Sequence, residues 1–210
     1  MIRFVIFAAA GILGTVLMAF EMVASRLLTP YFGSGIITWA ALISMVLLSI
    51  MVGYLVGGAL VDRFPTLRLP ALLSAIAGVW LLAVPSFAPA LLERLMLSFE
   101  SEVTGVLVSA AILLFLPITA LGTYSPIALR LLLRALHMSG RVAGAIYAVS
   151  TLGNIVGTLG TVLYLIPRMG TSAITYLLGG VTLACAILLW LAASRLTESS
   201  ARIEVQPGTV

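Results

Sequence analysis

The sequence predicts an all-α integral membrane protein built from six transmembrane helices, and three observations lead there. First, 62% of the 210 residues are hydrophobic, 9% are charged and the mean hydropathy is +1.23, far from the soluble average of about 45–50% apolar and about 25% charged. Second, the apolar residues fall into six runs long enough to cross roughly 30 Å of hydrocarbon. Third, the runs are continuous and lack the dyad alternation of an outer-membrane barrel strand. A helix, which satisfies its own backbone in lipid, is then the element they form.

Taken in order, the runs cover residues 4–27, 38–61, 69–86, 104–132, 142–165 and 171–193. The first begins after Met1-Ile2-Arg3 and has the look of a secretory leader, but it is long, lacks a small-residue cleavage site and leads into an organised turn, so it reads as a span. The third is the shortest, bounded by Pro70 and Pro85, and the segment from Ala88 to Phe99 beyond it reads as a short interfacial helix in the longest loop, with Glu93, Glu100 and Glu102. Pro117 and Pro126 interrupt the fourth run and predict a kink or a broken helix. Residues 1–195 form the membrane domain, and 196–210 read as a polar, disordered tail.

All 11 basic residues are arginine. Arg3, Arg63, Arg68, Arg130, Arg134, Arg141, Arg195 and Arg202 fall on one side of the predicted topology, and Arg26, Arg94 and Arg168 on the other. The excess predicts that both termini are cytoplasmic. The net charge of +4 therefore reads as a topology signal, not as a nucleic-acid surface. The one cysteine, Cys185, excludes an internal disulfide and reads as a small core hydrophobe. His137, among arginines in the fourth connection, reads as a solvated or headgroup-contacting residue.

Glu21 stands out because an ionisable group within a span costs roughly 2.5–3.5 kcal/mol at the bilayer centre. On a helical wheel it shares a face with Gly11, Gly14, Met18 and Ser25, so that face is expected to pack against protein. Arg26 is about 140° away around the helix and poorly placed to pair with it, so a partner is expected from the fifth span. There Tyr147, Thr151, Asn154, Thr158 and Thr161 form a polar stripe beside Ser150, Gly153, Gly157 and Gly160. Ser49, Gly53 and Gly57 repeat the small-residue pattern on the second span. In the fourth, Thr119, Thr123, Pro126 and Arg130 share a face and Tyr124 and Ser125 stand at the proline interruption, where freed carbonyls can bind cations if they line a cavity.

The connection Gly58-Ala-Leu-Val-Asp62-Arg63-Phe-Pro65-Thr-Leu-Arg68 resembles the cytoplasmic loop motif between helices 2 and 3 of the major facilitator superfamily, with Pro65 where that motif has glycine and the second basic residue displaced. A wider resemblance runs through Glu21 to Gly35, Gly53-Tyr-Leu-Val-Gly57-Gly58 to Asp62-Arg63, Ser125-Pro126 to Arg130, Gly140 to Gly144, Gly153-Asn-Ile-Val-Gly157-Thr to Ile166-Pro167, and Gly170-Thr171. These segments resemble the membrane half of fused facilitator-like/spermidine synthase proteins. The resemblance implies half of a major-facilitator-like bundle, in a bacterial cytoplasmic (inner) membrane. No glycine-rich strand-to-helix nucleotide loop accompanies it, so aminopropyl transfer does not carry over.

Together these readings give two expectations. The first is a module that binds or transports a small, cationic, polyamine-like solute, with substrate-binding residues Glu21, Ser25, Thr123, Tyr124, Tyr147, Thr151 and Asn154. It is expected to work as a homodimer joined through the glycine faces of spans 2 and 5. The second is a non-transporting anchor for a separately encoded soluble aminopropyltransferase-like enzyme, docked on the arginine-rich connections. With one His, one Cys and no paired carboxylates within the spans, the sequence predicts no catalytic residue, no metal site, no cofactor and no nucleic-acid partner.

Overall fold

The computed structural model describes residues 2–133 and 139–204, with side chains over 3–133 and 140–195; Arg134 and His137 lie outside the described residues. The elements are α1 (Ile2–Phe32), α2 (Ile36–Arg63), α3 (Arg68–Ser98), α4 (Glu102–Gly122), α5 (Tyr124–Leu133), α6 (Ser139–Gly160), a π-helical turn (Thr161–Leu165) and α7 (Thr171–Glu204). Six helical stretches are long and apolar enough to cross a membrane, the fourth made of α4 with α5 and the fifth of α6 with the π turn. The first passes through the middle of the bundle: 56% of its apolar window is buried, against 22% for the fifth.

Proline explains where the helices differ from the sequence reading. The fourth span breaks at Thr123, three residues before Pro126. Pro117 does not break it, because the Leu113 carbonyl it leaves without a helix donor accepts Trp80 Nε1–H at 3.2 Å. The third span does not stop at Pro85 either. α3 runs 31 residues through Pro85 and Pro89, and the segment from Ala88 belongs to it instead of forming a separate interfacial helix. Its buried stripe, Ala77, Leu81, Val84, Ala88 and Leu92, continues through both prolines, so packing outweighs the lost donors. α1 likewise carries Pro30 and ends at Gly33, whose φ of 72° is the left-handed geometry that glycine tolerates. α7 extends past the expected residue 193 to Glu204.

The packing has an internal symmetry. Span 1 packs mainly on span 5, span 2 on span 4, and span 3 on span 6; weaker pairs join span 3 to span 4 and span 6 to span 1. Advancing every span by three maps this network onto itself. The close contacts obey the same rule. A Cβ on Gly53 would lie 2.6 Å from the Thr119 carbonyl oxygen, and one on Gly57 2.7 Å from that of Thr123. One hundred residues on, Gly153 and Gly157 press in the same way on the carbonyl oxygens of Gly11 and Thr15. Gly78 and Gly179 face each other, with a Cβ on either lying 3.2 or 3.1 Å from the other's carbonyl oxygen. The triplet Leu13-Gly14-Thr15 also recurs as Leu121-Gly122-Thr123, with a further copy, Leu159-Gly160-Thr161, outside the repeat. Spans three apart run in opposite directions, so the bundle is two inverted three-helix units.

These contacts overturn one expectation. Gly53, Gly57, Gly153 and Gly157 are buried inside the protomer, where only glycine lets the backbones meet, and they offer no surface to a second copy.

Candidate functional site

Four spans converge on a cleft midway along the bundle, with a volume of ≈ 40 Å³. α1 supplies Ala10, Gly14 and Leu17, α2 supplies Tyr54, the α4–α5 junction supplies Gly122, Tyr124 and Ser125, and α6 supplies Ser150 and Asn154. Asn154 is oriented by backbone. Its amide fits when Nδ2 donates to Gly14 O at 2.9 Å and Ser150 O at 3.3 Å, which ties α6 to α1. Tyr124 is fixed just as firmly, since its hydroxyl donates to Ile6 O at 2.7 Å.

A second, larger pocket of ≈ 330 Å³ lies toward the end of the bundle away from the termini, between the last turns of α1 and the start of α2. Ser25, Arg26, Thr29, Ser34, Thr38 and Trp39 are among its walls. Ser25 and Thr29 turn their hydroxyls back on the Met22 and Ser25 carbonyls, at 2.8 and 2.7 Å, and Thr38 donates to Phe32 O at 3.2 Å.

Glu21 lies between these two cavities along α1, one turn beyond Leu17 and one turn before Ser25. It is only 8% exposed. Among the described residues it has no hydrogen bond and no ion pair, and the partner expected from the fifth span does not reach it. A carboxylate buried inside a span without a counter-charge is costly, and among the described residues the Ser109 and Thr119 hydroxyls are fully buried without a partner as well.

The other predicted residues divide between places. Asn154 and Tyr124 line the cleft, and Ser25 lines the larger pocket. Thr123 is buried and returns its hydroxyl to Ala120 O at 2.7 Å. Thr151 is exposed and lines none of these cavities, while Tyr147 belongs to a third pocket of ≈ 230 Å³ at the end that carries the termini. Thr161, at the far end of the same stripe, is 1% exposed. The stripe is thus open at Tyr147 and Thr151 on α6 and enclosed at Thr161 in the π turn beyond it.

The third pocket also holds Gly58, Asp62, Pro126 and Arg130. Asp62 and Arg130 form an ion pair, Oδ1 to Nε 3.3 Å, that joins the end of α2 to α5. The neighbouring arginines of this connection stack on aromatics instead: Arg63 lies 5.7 Å from the Phe64 ring, and Arg68 5.7 Å from that of Trp190 on α7.

Tyr54 and Ser150 complete the cleft although neither stood out as a site residue in the sequence. For Tyr54 a signal was present, because tyrosine in membrane helices gathers at the interfaces and one in mid-span is out of place. No family model, no curated protein and no solved structure matches the chain.

Proposed function

We propose that the chain is a facilitator-like membrane module that binds or transports a small, cationic, polyamine-like solute, with Glu21 as its anionic contact. One observation carries this reading: Glu21 is buried in the central helix between a polar cleft and an open pocket, with no counter-charge of its own among the described residues. A cationic ligand would supply what the protein withholds. The inverted three-helix units support the bundle type, since transporters are often assembled from such repeats with the binding site where the repeats meet. Both termini then lie in the cytoplasm, as the arginine count predicts.

The module works as a homodimer in this reading, and the second copy covers the open side of α2 and α6. Their apolar windows are only 33% and 22% buried, whereas polar Tyr54, Ser150 and Asn154 line the cleft beside them. The test is spermidine binding to the purified protein in detergent. Glu21→Gln should weaken it by tenfold or more, and unchanged affinity would remove Glu21 from the site.

The anchor reading has its own supporting observation. Arg63, Arg68, Arg141 and Arg195 are all exposed at the end that carries the termini. Recovery of a soluble aminopropyltransferase-like partner that depends on these arginines would favour it; binding of spermidine by the isolated chain would favour transport.

A further inference from the structure

Some hydroxyls within the spans are engaged by their own helices. Thr15 donates to Gly11 O at 2.9 Å, Ser49 to Met45 O at 2.6 Å, Thr158 to Asn154 O at 3.0 Å, and Thr182 to Leu178 O at 2.7 Å. This back-bonding is how a hydroxyl is satisfied in hydrocarbon. The mid-bundle cleft gathers several hydroxyls that are not engaged in this way. Ser125, Ser150 and Tyr54 line it, and their hydroxyls bond to no described residue.

The backbone contributes an oxygen at the same place. Pro126 has no N–H, so the Gly122 carbonyl loses the donor four residues on, at the point where α4 gives way to α5. Asn154 contributes another: with Nδ2 committed to the Gly14 and Ser150 carbonyls, Oδ1 is the end of the amide left for the cleft. Neutral oxygens from the second, fourth and fifth spans thus surround a space of ≈ 40 Å³, more than the roughly 10–15 Å³ that a single water needs.

We infer that this cleft is a binding site for a small monovalent cation of about the size of sodium, ligated by the Gly122 carbonyl, the Ser125 and Ser150 hydroxyls and Asn154 Oδ1. The sign follows from the donors. Carbonyl and amide oxygens repel an anion, no arginine lines the cleft, and the one amide nitrogen there is already used. The valence follows from the absence of a carboxylate among the lining residues, because divalent cations at protein sites draw on carboxylates. Carbonyls released where a membrane helix is broken coordinate monovalent cations in just this manner. Glu21 lies two turns along α1 from Gly14, about 10 Å away by helical rise. It is not a ligand of the cleft. The inference rests on the cleft itself and holds whether or not the chain carries a polyamine.

The test is thermal unfolding of the purified full chain in detergent, with sodium chloride replaced by choline chloride at constant ionic strength. A saturable rise in midpoint with sodium, absent with choline, is expected; potassium should act more weakly. Ser125→Ala and Ser150→Ala should each flatten the sodium dependence while keeping the choline midpoint near that of the parent. Should either variant fail to fold, equilibrium binding of radioactive sodium to the parent chain reads the same site directly. Equal midpoints in sodium and choline, no saturable sodium uptake, or a sodium effect that survives both alanine substitutions would each show a cleft that holds water alone and overturn the inference.

Discussion

Gly153→Ala tests the packing on which the bundle rests. The added methyl would sit 2.9 Å from the Gly11 carbonyl carbon and 3.1 Å from its Cα, and would meet the Gly11 carbonyl oxygen more closely still. The obstacle is backbone of the most enclosed helix, so no side-chain rotation relieves it; α1 and α6 must separate by about an ångström. Overpacking of this kind costs about 1–3 kcal/mol. Alanine also gains about 1 kcal/mol of helix propensity over glycine, which would blur the result if measured alone. Gly144→Ala on the same helix removes that ambiguity, because nothing lies within 4 Å of a Cβ there. Gly144→Ala should therefore be neutral or stabilising by up to about 1 kcal/mol, with Gly153→Ala less stable than it by about 1–3 kcal/mol. Denaturant or thermal unfolding in detergent, followed by tryptophan fluorescence, reads the difference. Equal midpoints for the two variants would refute the close approach of α6 to α1.

Two further substitutions probe how the proline-bearing spans and the loop end are held. Trp80→Phe should cost about 1 kcal/mol by taking away the donor to Leu113 O; in a Pro117→Ala background, where the restored backbone N–H can supply that donor, the cost should fall, and unfolding midpoints of the four chains check this. A double-mutant cycle of Asp62→Asn with Arg130→Gln should give a coupling below about 1 kcal/mol, because both side chains are largely exposed, at 69% and 48%.

Much of the architecture was legible in the sequence because hydrocarbon leaves few choices. The six spans follow from apolar length alone, and the break at Thr123 follows from Pro126. Pro85 misled, since a proline ends a helix only when nothing else holds it, and the buried stripe from Ala77 to Leu92 is visible only once span 3 is seen to pack on spans 4 and 6. The Asp62–Arg130 pair joins spans far apart in sequence, and no local periodicity points to it. The helical wheel found Asn154 for the cleft but also selected Thr151, because a wheel carries no information on where along a helix its neighbours lie. The inverted repeat left only Leu-Gly-Thr and a few glycine pairs as its written trace, too little to be recognised before the contacts were known.

That repeat has a consequence for how the protein is made. The first three spans hardly touch one another, and each finds its main partner among the last three: α1 in α6, α2 in α4, α3 in α7. A chain emerging from the ribosome therefore gains little from pairing its early helices, and insertion must run well ahead of assembly. Until α6 arrives, Glu21 waits in a helix whose packing partner has not been synthesised. The carboxylate is thus a burden on biogenesis as well as on the finished bundle.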